Sequence, residues 1–442
     1  MYTFSNRLKI ASIILMVVGA LGVGIGFMTM PSNVEEAKEM VASHGDGHES
    51  AHGEEAMHAT EGEHGAATVA EAHDSSHDEH LLHQLQNRPW AALYVAAFFF
   101  MMLALGTLAF YAIQRAAQAG WSPLLFRVME GITAYIVPGG IIVFVILVLS
   151  TMHLNHLFVW MDAEVVAEDK LLQGKAGYLN TTFFLVRAAI YLAIWIGYRE
   201  ISRKLSLRQD EASDNSNFVK NFRVSAAFLV LFLISESMMS WDWIMSVDPH
   251  WFSTLFGWYV FASMFVSGIT VIALVTIYLK SRGFLPEVNN SHLHDLAKFM
   301  FGISIFWTYL WFSQFMLIWY SNIPEEVTYF VTRIADYKLA FFGMVAMNFL
   351  FPVLILMNSD FKRMNWFIVM AGVVILCGHY IDIFNMIMPS TVGDQWYIGI
   401  PEIGAVLLFA GLFIFWIFRA MTKAPMQPKR NPFIEESKHF HY

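Results

Sequence analysis

Long apolar stretches separated by short polar connectors recur along the chain at 8–30, 90–114, 128–151, 178–199, 223–241, 252–279, 297–320, 337–357, 364–388 and 397–419. A helix that crosses a bilayer needs about 20 predominantly apolar residues. The pattern therefore predicts an all-α polytopic membrane protein with ten transmembrane helices. No stretch alternates polar and apolar residues over about 10 positions, which argues against a membrane β-barrel. Pro138 falls inside the third stretch and Pro352 inside the eighth; a bundle tolerates both where neighbours re-satisfy the freed carbonyls. The first apolar run, Ile10 to Met30, is followed by Pro31, Ser32 and Asn33 rather than a small-x-small cleavage site. It also outlasts the ~7–15 residues of a signal-peptide core, so it reads as a retained span.

Composition sharpens this picture. Of 442 residues, 57% are hydrophobic and 14% charged, with net charge −9; soluble domains carry about 25% charged residues. The negative balance argues against a nucleic-acid partner, leaving the lipid bilayer as the expected surround. The single cysteine, Cys377, excludes an internal disulfide. Most Lys and Arg residues fall in segments on the same side as both termini, among them Arg7, Lys9, Arg203, Lys204, Lys280 and Lys429. The positive-inside rule then places the N- and C-termini in the cytoplasm. The organisation reads as 1–30, first span; 31–87, a large outward segment; 88–246 and 247–390, two sets of four spans; and 391–442, the tenth span with a cytoplasmic tail.

The 31–87 segment holds nine histidines (His44, His48, His52, His58, His64, His73, His77, His80, His83) among Glu, Asp, Ala and Gly, with almost no large apolar residue before Leu81. It cannot bury a core. It reads either as metal capture or buffering by imidazoles, or as a solvated loop. The spacings repeat no ligand motif, so no metal site is assigned. The tail, with Pro425, Pro428 and Pro432, is expected to lie against a partner or to move freely.

Ionisable groups inside a bilayer are costly and are functional candidates. Arg187 falls near the middle of the fourth span and Glu236 in the outer third of the fifth. His379 and Asp382 share the outer half of the ninth, three residues apart on one helical face. His153, His156, Asp242, Asp248 and His250 cluster at the outer boundary. The inner half looks almost empty of charge, with Glu130 the main exception. Carboxylates beside histidines at an apolar boundary can pass protons. Each also has a plainer reading: Arg187 can pair with Glu236 or a carbonyl, His153 and His156 can be solvated or cap a helix, and Asp242 can cap the fifth span. Haem needs axial ligands and iron–sulfur clusters need cysteines; the sequence offers neither in usable arrangement. It also lacks a phosphate-binding Gly loop, GxSxG and HExxH.

The run Ser240 to Phe261, SWDWIMSVDPHWFSTLFGWYVF, together with ten spans, resembles the membrane subunits of bacterial alternative complex III, within the polysulfide reductase C/NrfD-like group. The chain length and the His/Glu-rich first outer segment look more like the ActF type than the ActC type. The resemblance implies two four-helix bundles, spans 2–5 and 6–9, flanked by spans 1 and 10, in the bacterial inner membrane. It implies a quinol:acceptor oxidoreductase that oxidises menaquinol near the periplasmic side. The haems and iron–sulfur clusters would lie in partner subunits, and an ActC-like sister subunit would hold the quinol. This chain would then bind no covalent cofactor and would supply proton transfer or support. Asp242, Asp248 and His250 are the positions carried over from the matching turn. The alternatives are a purely structural docking subunit and a stand-alone proton or ion transporter.

Overall fold

The computed structural model describes residues 2–44 and 66–441, without the side chains of 43–44, 66–77 and 80. His44, His48, His52, His58, His64, His73, His77 and His80 therefore lie outside the described side chains. Among the described residues the regular structure is helical, with no strand. Ten helices are long and apolar enough to cross a membrane: α1 Asn6–Met28, α2 Leu81–Ala116, α3 Pro123–Thr151, α4 Thr181–Gln209, α5 Ser216–Val247, α6 Phe256–Ser281, α7 Asn290–Ser321, α8 Lys338–Leu356, α9 Asn365–Val392 and α10 Ile400–Met421. Ten crossings leave both termini on one face of the membrane, here called the termini face; the other is the far face.

Helices α2 and α6 form the centre, nearly all of their apolar windows being buried, whereas α1, α5, α7 and α8 present large apolar side chains outward. Val230 and Leu354, 64% and 69% exposed, are examples that suit lipid and not water. Helix α2 packs on α3, α5, α6, α9 and α10; α4 packs on α3 and α5; α6 packs on α7 and α9; α8 packs on α9; and α1 packs on α10.

Small residues permit the closest crossings, as expected where lipid removes the hydrophobic drive between helices. A Cβ on Gly106 of α2 would sit 2.1 Å from the Met264 carbonyl oxygen, and one on Gly268 of α6 would sit 2.5 Å from the Gly106 carbonyl carbon. Backbone cannot yield as a flexible side chain can. Gly106→Ala is expected to lower stability by about 1–3 kcal/mol, as overpacking does, read by denaturation in detergent. Gly24→Ala on α1, with nothing within 4 Å of the added methyl, is expected to leave the midpoint in place.

Both prolines act on the turn before them, because proline removes an N–H and crowds the carbonyl four residues back. Ahead of Pro138, α3 tightens to a 3-10 turn at Thr133–Tyr135. Ahead of Pro352, α8 widens to a π-helical turn at Ala346–Leu350.

Three sequence expectations need correction. Part of the 31–87 segment is helical: Val34–His44 packs on the outward extension of α2, which begins at Ala66. Good helix formers behind an acidic first turn, Glu35 and Glu36, account for the former. The tail folds back on the termini face, where Ser437 Oγ donates to the Trp121 carbonyl (2.7 Å) and Asn289 Nδ2 to the Phe440 carbonyl (2.6 Å). The termini end of the first helices is also not poor in charge. Arg127 bridges Glu130 (2.7 Å) and Asp210 (2.5 Å), with Arg115 3.6 Å from Glu130, all largely buried. Arg115, Arg127 and Asp210 all fall between apolar stretches of the sequence; burial makes them an ion-pair network.

Candidate functional site

The nine candidate residues separate into two buried groups, one isolated carboxyl and a far-face surface set. The first buried group joins α4 to α5. Arg187 donates from Nε to Asp242 Oδ2 (2.7 Å) and from Nη2 to Oδ1 (2.9 Å), a bidentate pair with side chains 4% and 0% exposed. Tyr191, one turn along α4, donates to Asp242 Oδ2 at 2.8 Å. The third Arg187 nitrogen, Nη1, donates to the Tyr178 carbonyl at 3.0 Å, and the guanidinium lies 3.9 Å from the Tyr178 ring centre. Arg187 is not at mid-membrane, because α4 begins at Thr181. At about 1.5 Å per residue, its six-residue offset puts it roughly 9 Å from the far end. Its partner is Asp242 rather than Glu236. Glu236 is 1% exposed, and its Oε1 has no hydrogen-bond partner.

The second buried group is built on the His379–Asp382 pair of α9. Tyr259 Oη and Ser263 Oγ, one turn apart on α6, both donate to the Asp382 carboxylate, Ser263 at 2.9 Å. Trp307 of α7 donates from Nε1 to the same carboxylate at 2.9 Å. Ser263 has one proton. Having given it to Asp382, its oxygen accepts from His379 Nδ1 at 2.9 Å. His379 Nε2 is buried with no protein partner. The Trp307 indole closes the side of the imidazole edge-on, with ring centres 5.3 Å apart. The amide of Asn348, on the π-turn of α8, lies 3.4 Å from His379 Nδ1. Gly378 makes room for it, since a Cβ there would meet Asn348 Oδ1 at 2.1 Å.

A cavity of about 10 Å³ adjoins Asp382 on the far-face side, lined by Tyr259, Trp311, Tyr329, Arg333 and Asn385. That is room for about one water molecule. The short helix Pro324–Ala335 roofs it. Arg333, 2% exposed, donates from Nε to the Asn385 carbonyl (2.9 Å) and from Nη1 to the Tyr329 carbonyl (2.8 Å). Arg333 falls between two apolar stretches of the sequence; Tyr329, Phe330 and Arg333 share the buried face of an amphipathic helix. Asn385 Oδ1 and Trp311 Nε1 are buried without partners.

The remaining candidates stay at the surface. His250 is exposed and pairs with Asp169 at 2.5 Å, while Lys175 donates to the Pro249 carbonyl at 2.5 Å. These bonds clamp the 244–255 turn to the 163–175 connection. Asp248 is half-buried beside this clamp and joins neither buried group. Of the three positions carried by the matching turn, only Asp242 enters a buried site. Neighbours on a tight turn point in different directions, so closeness in sequence does not put them in one pocket. His153 is exposed, with φ +57° in the turn after α3. His156 is half-buried, and its ring lies on His83.

The hydrogen bond from His250, aided by the Leu171 and Leu172 amides, holds the Asp169 carboxyl below the usual carboxylate range. A carboxyl with a depressed folded pKa stabilises the fold above its unfolded pKa of about 4, and loses that contribution as pH falls through the folded value. Proteolysis of the 163–175 connection is expected to accelerate only below about pH 4 in the native chain. In His250→Ala the acceleration is expected to begin at higher pH.

Ten apolar helices around buried polar clusters define a multi-pass helical membrane protein. No family model and no curated protein matches the chain.

Proposed function

We propose that this chain is an integral-membrane subunit of a menaquinol:acceptor oxidoreductase of the alternative complex III type, most like its ActF subunit. In this reading the termini face is the cytoplasm and the far face the periplasm of a bacterial inner membrane. The helices α2–α5 and α6–α9 are its two four-helix bundles. The chain handles protons, while electrons pass through haems and iron–sulfur clusters of partner subunits.

One observation carries the reading: a histidine and a carboxylate, both fully buried among lipid-embedded helices, joined through Ser263, with an open imidazole nitrogen. Quinol oxidation releases two protons with two electrons, and a positioned imidazole or carboxylate accepts them within hydrogen-bond reach. The neighbouring cavity holds about one water; in this reading the quinol head group is held by the sister subunit, as the resemblance implies. The Arg187–Asp242 pair supports the scaffold alternative for the first bundle, since every strong donor and acceptor in it is bonded locally.

The test is purification of the tagged chain from its native membranes under mild detergent. Co-elution of haem and iron–sulfur subunits with menaquinol-oxidising activity supports the reading. A chain that elutes alone and moves ions in vesicles supports the transporter alternative.

A further inference from the structure

The histidines of the far-face segment are not absorbed by the quinol reading. Helix α2 continues outward to Ala66. His83 lies on this extension, one turn before Asn87. What sequence could not reveal is the chain that crosses in front of it. Asn87, one turn below His83, bonds the backbone of His156 twice: the His156 amide donates to Asn87 Oδ1 (2.9 Å), and Asn87 Nδ2 donates to the His156 carbonyl (3.0 Å). The clamp holds His156 by its main chain and leaves its ring to face α2. That ring lies flat on His83, with centres 4.6 Å apart and planes 3° apart. His153 lies close enough to His156 to act on it electrostatically, as does Asp162.

We propose that His83 and His156 form the core of a site for a divalent transition-metal ion of the zinc or copper type on the far face. Imidazole suits these borderline cations. Rotation about the broad χ2 torsion turns the stacked rings so that one nitrogen of each reaches a shared ion, at the usual zinc–nitrogen distance of about 2.0–2.1 Å. Among the described residues no three His, Cys, Asp or Glu side chains already converge. The third ligand therefore comes from the facing turn, where His153 lies close enough to act on His156. The bound ion fastens the outward extension of α2 to the 152–162 connection. This inference is independent of the quinol reading.

The test is titration of the full-length purified chain with zinc chloride by calorimetry. A second titration with copper(II), followed by electron paramagnetic resonance, reports nitrogen ligands. One tight site per chain is expected, weakened about tenfold or more in His83→Ala and in His156→Gln. It is expected to be unchanged when His44, His48, His52, His58 and His64 are all replaced by Gln. Weakening in His153→Ala names the third ligand. Affinity unaffected by His83→Ala and His156→Gln, or lost in the five-histidine variant, overturns the proposal.

Discussion

Replacing Arg187 by alanine is expected to destabilise the α4–α5 contact by about 3–5 kcal/mol, because it strands a buried carboxylate. Asp242 is fully buried and accepts from both Arg187 nitrogens and from Tyr191. Without the guanidinium only tyrosine hydroxyls remain, Tyr191 at 2.8 Å and the neighbouring Tyr178. Lysine is not expected to rescue, since a point charge cannot reproduce a bidentate fork. The combined Arg187→Met, Asp242→Leu variant is expected to regain most of the stability, as apolar replacement of buried ion pairs commonly does. Denaturation midpoints in detergent measure all three. Activity measured beside them separates roles. A double variant both stable and fully active makes this pair a fastener; one stable but inactive makes it part of the proton route.

The second large effect is expected at Asp382. Asparagine keeps the shape but sets an NH₂ group against donors. Tyr259, Ser263 and Trp307 all donate to the carboxylate, so at least one donor faces another donor. If Asp382 takes part in proton transfer, menaquinol oxidation by the intact complex is expected to fall by about 100-fold or more, within the range that positioned acids and bases contribute. Tyr259→Phe removes one of the three donors and leaves the carboxylate ionisable, so its loss is expected to be smaller. Haem content of the purified complex controls for assembly. A well-assembled Asp382→Asn complex with unchanged turnover supports the scaffold alternative.

The spans were legible because hydropathy over about 20 residues is a local property, and the ten helices follow the ten apolar stretches. The His379–Asp382 pairing was legible for the same reason: one helix fixes residues three apart on one face. Their partners were not. Tyr259, Ser263 and Trp307 come from α6 and α7, and nothing in local spacing marks which hydroxyl or indole meets a carboxylate more than 70 residues away. Arg187 and Asp242 were each singled out but not joined, because a pairing across 55 positions is set by how α4 packs on α5. Asn348 carried a faint signal: Pro352 follows it by four residues, and the π-turn which that proline favours places the amide near His379. His83 and His156 met through Asn87, a contact between segments that periodicity treats separately.

Burial decides between these groups. A site that handles protons must expose at least one partner to change, whereas a fastener is saturated. The Arg187–Asp242 pair is saturated; the His379–Asp382 pair keeps one imidazole nitrogen without a protein partner, and a small cavity adjoins Asp382. The second pair therefore holds the stronger claim to function. The roof helix Pro324–Ala335, pinned through Arg333 to α9, is the barrier between that pair and the far face.

For the proposed function, the most direct measurement is an infrared difference spectrum of the proposed menaquinol-oxidising complex before and after reduction by menaquinol, recorded for the native chain and for Asp382→Asn. Proton handling at the second pair predicts a carboxyl band that changes on reduction in the native complex and is absent from the variant. Identical difference spectra from the two would contradict it.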